Sequence, residues 1–133
     1  MKKNNIALRK DYILNTDYSR GAARAAAEKI FKMTDAPTAV FVASDSMALE
    51  VMNVSGEFGK KIPQDLSIVG FDDNPSGLYG LVSLTTVKQP LIKMAEESVK
   101  ELSRLIKDKQ AKIKKVVLPT ELVIRESAQA FSS

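Results

Sequence analysis

The 133-residue sequence contains no cysteine, no histidine and no tryptophan. Without cysteine there is no disulfide framework and no thiolate metal site. Without histidine the commonest general base and the commonest metal ligand are both gone. Catalytic triads of the Ser-His-Asp type and zinc sites built on His or Cys are therefore excluded, and no metal or cofactor is expected. No run is apolar for long enough to suggest a membrane span. The start, MKKNNIALRKDY, lacks the continuous apolar stretch and small-residue cleavage site of a secretory signal. The cytoplasm is the expected compartment, with no membrane partner.

What is present suits one globular domain with a core of its own. Twenty basic residues against 16 acidic ones leave a net charge of +4. Much of that excess sits in residues 1–10 and 107–115. No helix-turn-helix, zinc finger or aromatic RNA-binding motif accompanies these lysines, so they read as solvated tails and loops. Direct nucleic-acid binding is not expected.

Short β-rich runs alternate with segments of helical period, which predicts an α/β fold with a parallel sheet flanked by helices. Strands are expected at residues 12–15, 38–43, 66–71, 83–87, 116–118 and 122–124. Alanine-rich residues 21–32 predict a helix with Ala23, Ala27 and Ile30 on one face. Met47, Val51, Val54 and Phe58 repeat at helical spacing, with Gly59 as the stop. Residues 75–80 read as a loop or short helix. Residues 91–107 form the strongest amphipathic pattern, through Ile92, Ala95, Val99, Leu102 and Ile106. The tail after Ser127 reads as loose.

Right-handed crossovers place successive strand-to-helix junctions on one sheet edge, where ligands of open α/β sheets bind. Those junctions carry Asp17-Tyr18-Ser19, Ser44-Asp45-Ser46 and Asp72-Asp73-Asn74. The set offers carboxylates, hydroxyls, an amide and one aromatic, without lysine or arginine. Paired acceptors suit the hydroxyls of a sugar or polyol, and an aromatic face suits its C–H side. Each residue also has a plainer role. Asp45 can cap the following helix, Asp72 can cap or turn, and Asp73 and Asn74 can form the turn before Pro75. Tyr18 can be a partly buried core edge. A shared-proton Asp72–Asp73 dyad is disfavoured, because neighbouring side chains on a strand point apart.

Four segments resemble motifs of the LacI/GalR family of transcription regulators. They are PTAVFVASDSMAL at 37–49, IPQDLSIVGFDD at 62–73, LTTVKQP at 84–90 and LPTELVIRES at 118–127. The resemblance implies part of a type I periplasmic-binding-protein-like fold. Residues 1–83 would then be the C-terminal lobe, 84–118 the crossover and elements of the N-terminal lobe, and 119–133 a return strand and tail. It implies that Asp72, Ser44, Tyr18, Asp45 and Gln89 contact a small-molecule effector, Tyr18 by stacking and Gln89 at the crossover. Position 44 is serine where relatives often carry asparagine, and Glu50 stands where glycine is common. Residues 1–6 resemble the end of an internal helix. The headpiece, most of the N-terminal lobe and an early strand bearing an effector-binding arginine have no counterpart in the sequence, so the expectation is a truncated effector domain. Relatives dimerise partly through helices corresponding to residues 21–32 and 46–58, so a homodimer is expected. The resemblance implies regulation rather than catalysis. A sugar-binding protein of a transport system, or a small enzyme using Asp72 and Asp73, would be the competing readings.

Overall fold

The computed structural model describes residues 9–80 and 82–130; the expected helix end at residues 1–6 lies outside them. The sheet has the order β1 (Ala39–Phe41), β2 (Ser67–Asp72), β3 (Thr85–Lys88) and β4 (Glu121–Val123). The first three strands run parallel and β4 returns antiparallel to β3. Val40 lies opposite Ile68, Gly70 opposite Thr86, and Val87 opposite Leu122. The mainly parallel sheet flanked by helices is the architecture that the alternating pattern predicts.

Helix α1 (Arg20–Phe31) opens on Ser19, whose hydroxyl accepts from the Ala22 N–H at 3.1 Å. Helix α2 (Asp45–Glu57) opens on Ser44 in the same way. It stops where Gly59 turns left-handed (φ 66°), as only glycine does at no steric cost. Ala23 and Ala27 of α1 are small enough to bring that helix close to Ala48, Val51 and Val54 of α2. Beneath the pair, Val42, Leu66, Ile68 and Leu84 complete the core. Ala23 and Ala27 are thus buried within the chain. Helix α3 (Leu91–Lys107) matches its predicted bounds but contributes no residue to the core.

The structure corrects two expected strands. Residues 12–15 are not a strand: a 3-10 turn, Lys10–Tyr12, leads into an extended but unpaired segment. Tyr12, Leu14 and Thr16 are half-buried while Ile13, Asn15 and Asp17 are exposed, so the segment has strand-like alternation without a ladder. An apolar slot of about 330 Å³ lies between Leu14 and Thr16 on one side and Ala39 and Phe41 on the other. β1 is consequently a sheet edge, and Phe41 is 62% exposed despite its core-like sequence. Residues 116–118 also form no strand. Val117 is exposed and without a ladder partner, and pairing begins only at Glu121, beyond Pro119, which has no N–H to donate. β3 starts at Thr85 rather than at the expected Ser83, because Ser83 is engaged by the Glu126 carboxylate through both its N–H and its hydroxyl.

Ser127 closes the sheet from behind. Fully buried, its hydroxyl donates to the Ile68 carbonyl (2.6 Å) and accepts from the Thr85 N–H (2.8 Å). The chain beyond it remains tethered, with the Gln129 N–H on the Ser67 hydroxyl at 3.3 Å.

Candidate effector site

Because β1, β2 and β3 are parallel, their carboxyl ends share one rim. β2 ends there on Asp72, and both Asp72 (φ 119°) and Asp73 (φ 60°) adopt left-handed backbone. Such conformations cost about 1–3 kcal/mol each for a residue with a side chain and persist only when neighbours hold them. Here they are held on both flanks. The Asp73 carboxylate takes the Arg125 guanidinium at 2.5 Å and has Lys88 Nζ at 3.8 Å. Arg125 is itself fixed: it donates to the Leu84 carbonyl at 2.8 Å, and its own N–H meets the Thr85 hydroxyl at 2.9 Å. On the other flank the Asn74 N–H donates to Asp45 Oδ2 at 2.7 Å, while Asn74 Oδ1 accepts from the Ser76 N–H at 3.0 Å.

Asp72 therefore points its carboxylate into a cavity of about 480 Å³ lined by Asp73, Lys88, Gln89, Pro90, Ile92 and Glu96. Its Oδ1 accepts from the Gln89 side-chain amide at 2.6 Å. The expected absence of lysine and arginine from this edge is corrected. Lys88 at the end of β3 and Lys93 on α3 line the cavity, and Arg125, just after β4, pairs with Asp73 in its lining. Lys88 and Arg125 pair with Asp73 and Lys93 with Glu96 and Glu97, whereas the Asp72 carboxylate is met by a neutral amide.

The other expected site residues are placed differently. Asp45 is 1% exposed, with Oδ1 taking the Thr86 hydroxyl at 2.6 Å and Oδ2 the Asn74 N–H. Both oxygens are engaged inside the protein, and the cap of α2 is Ser44 rather than Asp45. Asp45 is an internal clamp joining α2, β3 and the turn after β2. Ser44 is the cap: its hydroxyl accepts from the Met47 N–H at 3.3 Å, lies 3.2 Å from the Ser46 hydroxyl, and is nearly buried. Tyr18 follows Thr16, whose hydroxyl donates to the Met47 sulfur at the start of α2. Tyr18 is 66% exposed and lines none of the cavities described here. Its left-handed backbone (φ 64°) follows from the tight Asp17–Ser19 turn. The structure thus brings Asp72 and Gln89 together, ties Asp45 to the turn after Asp72, uses Ser44 as the cap of α2, and leaves Tyr18 out of the cavity lining.

Sequence reasoning missed Arg125, Thr86 and Gly70. A Cβ on Gly70 would lie 2.3 Å from Asp45 Oδ1, so glycine at this strand position leaves room for the clamp. Glu50, noted in the sequence only as standing where glycine is common, was given no role there. That buried carboxylate on α2 accepts from Arg20 (2.7 Å) and Arg24 (3.3 Å) on α1, and Arg20 first, then Arg24, hold its pKa below the usual glutamate range. A glutamate on an otherwise apolar helix face was the available signal.

Comparison with known proteins agrees with this geometry. Residues 1–128 match the periplasmic binding protein-like domain family. The HTH-type transcriptional regulator MalR of Clostridium butyricum is 42% identical over 94% of the chain, which covers 37% of that protein. The HTH-type transcriptional repressor PurR of Vibrio vulnificus is 35% identical over 99% of the chain and 40% of its own length. Among solved structures, a LacI transcriptional regulator from Bacillus cereus subsp. cytotoxis superposes with a TM-score of 0.94 at 27% identity, over 98% of this chain and 46% of that one. The transcriptional regulator CelR in complex with cellobiose gives 0.89 at 27% identity, over 96% and 39%. A LacI family regulator from Lactobacillus casei with bound sucrose gives 0.81 at 27% identity, over 96% and 47%. The chain spans about two fifths of the length of the curated relatives named here. It belongs to the periplasmic-binding-protein-like domain family, in the form carried by LacI-type transcriptional regulators.

Proposed function

We propose that this chain is the effector-binding and dimerising part of a LacI-type transcription regulator working in the cytoplasm. In that reading it senses a sugar or polyol and leaves DNA contact to other parts of the regulator. The lobe assignment read from the motifs, with residues 1–83 as one lobe and 84–118 crossing to another, belongs to the same proposal. One observation carries it: a half-buried carboxylate, Asp72, held in left-handed backbone at the carboxyl edge of a parallel sheet and facing a cavity of about 480 Å³. A volume of that order accommodates a mono- or disaccharide-sized ligand. The cellobiose and sucrose complexes of similar regulators support the ligand class. The commitment of the Asp73 carboxylate to Arg125 counts against an Asp72–Asp73 acid–base pair.

The test is a thermal-shift and calorimetric titration with cellobiose, sucrose and glucose. Saturable stabilisation, abolished in Asp72→Asn, is expected. Absence of any shift at tens of millimolar sugar, against a cooperative melt, would remove the sugar reading.

A further inference from the structure

Gln89 closes β3 immediately before Pro90 and α3, and its side-chain amide reaches across the cavity mouth to Asp72 Oδ1 at 2.6 Å. We infer that Gln89 Nε2 stands in the place of a ligand hydroxyl. In this inference the ligand's donor displaces the amide from Asp72, and the displacement frees the junction between β3 and α3. The inference rests on the reading of Asp72 as the effector carboxylate.

Three features of the site support an exchange rather than a permanent contact. First, the two neighbouring carboxylates are treated unequally. Asp73 is met by Arg125 and Lys88, which a neutral ligand cannot replace without stranding charge. Asp72 is met by a neutral amide, and a hydroxyl donates to a carboxylate equally well. Second, the backbone at Asp72 has anchors other than Gln89: the left-handed turn is held by Arg125 on Asp73 and by Asp45 on Asn74, so the residue keeps its place at the end of β2 when the amide leaves. Third, Gln89 has somewhere to go. It also lines a second recess of about 540 Å³ beneath α3, where Glu97, Ser98 and Thr120 offer acceptors for its N–H groups.

The chemistry narrows the ligand. The position now filled by an N–H requires a donor, so a polyol or amino-polyol fits and a carboxylate or phosphate does not. Gln89 then acts as a competitor of the ligand rather than a contact to it, and the two roles predict opposite signs. Removing a competitor tightens binding; removing a contact weakens it.

The experiment is calorimetric titration of cellobiose and sucrose into wild type, Gln89→Leu, Gln89→Ala and Asp72→Asn, each first shown to melt cooperatively. In parallel, the Gln89 side-chain amide is followed by NMR. We expect three- to tenfold tighter binding in both Gln89 variants and none in Asp72→Asn. The Gln89 amide signal should move on addition of sugar and on Asp72→Asn, and stay in place with inorganic phosphate. Weaker binding in the Gln89 variants, with Asp72→Asn inactive, overturns the exchange and leaves the sugar reading intact. Silence of wild type and all variants towards both sugars, with an unmoved Gln89 signal, overturns both. Binding by the Gln89 variants alone would show the amide to be a stronger competitor than expected and supports the exchange.

Discussion

A single carboxylate at position 45 organises the rim, and the residue beneath it shows how tightly. Asp45 accepts from Thr86 and Asn74 with both oxygens, and Gly70 lies directly under Oδ1. In Gly70→Ala the added methyl would meet Asp45 Oδ1 at 2.3 Å and Leu84 Cδ2 at 2.9 Å, so the clamp must move. Overpacking of this kind costs about 1–3 kcal/mol, and urea denaturation should register it as a lower midpoint with an unchanged slope. Ser127→Ala offers the complementary case. It leaves the buried Thr85 N–H without its acceptor, a loss of about 1–3 kcal/mol. A midpoint unchanged from wild type would mean that Thr85 finds another partner. At this scale the sequence pointed to Asp72 by its place at a strand end and to Gln89 through the family resemblance, and the structure joins the two by a hydrogen bond. It could not announce that Asp45 turns inward, because a Ser-Asp pair before a helix is compatible with either residue as the cap.

At the scale of elements, the α1–α2 pair is joined by a polar staple across an alanine seam. Arg20 and Arg24 converge on buried Glu50, and Arg24 also pairs with Glu57. The arginines lower the Glu50 pKa relative to the unfolded chain. Their contribution to stability is therefore complete above the ordinary glutamate value of about 4.3. It is lost as pH falls through the lower folded value, where the native carboxylate finally protonates. Glu50→Gln should cost about 1–2 kcal/mol at pH 7, discounted for the solvent exposure of the arginines. The gap to wild type should narrow as denaturation is repeated at pH 4 and then pH 3. A gap independent of pH would show that the staple is packing rather than charge. Helix bounds were legible from capping serines, the Gly59 stop and hydrophobic period. Strands were less so: residues 12–15 and 116–118 carry strand-like composition but lack a hydrogen-bonding neighbour, and a ladder needs two partners.

The whole molecule has one well-filled side and one bare side. The core under α1 and α2 is continuous, whereas α3 keeps Ile92, Val99, Leu102 and Ile106 exposed, and Val117 and Ile124 are exposed as well. An apolar display of this extent marks an interaction surface, in keeping with the proposed self-association. Sedimentation across the micromolar range should show concentration-dependent dimers. The double variant Ile92→Glu, Ile106→Glu should shift the population to monomer without lowering the melting temperature, since neither residue is in the core. A wild-type monomer at all concentrations would remove the dimer from the proposal.

Local chemistry alone determined which residues would be helical, where the helices stop, that the two strand ends before α2 and after β2 carry polar tips, and which families of catalysis are closed to a chain without histidine or cysteine. These are properties of neighbours along the chain, and periodicity and capping report them directly. Tertiary structure decided what each polar tip does. Whether Asp45 faces solvent or core, whether Asp73 is free or bound to Arg125 some fifty residues onward, and whether a β-rich run finds a partner all depend on contacts between distant segments. The energy of a buried carboxylate or an unpaired strand is set by what surrounds it in space, and that information is carried by no short window of the sequence.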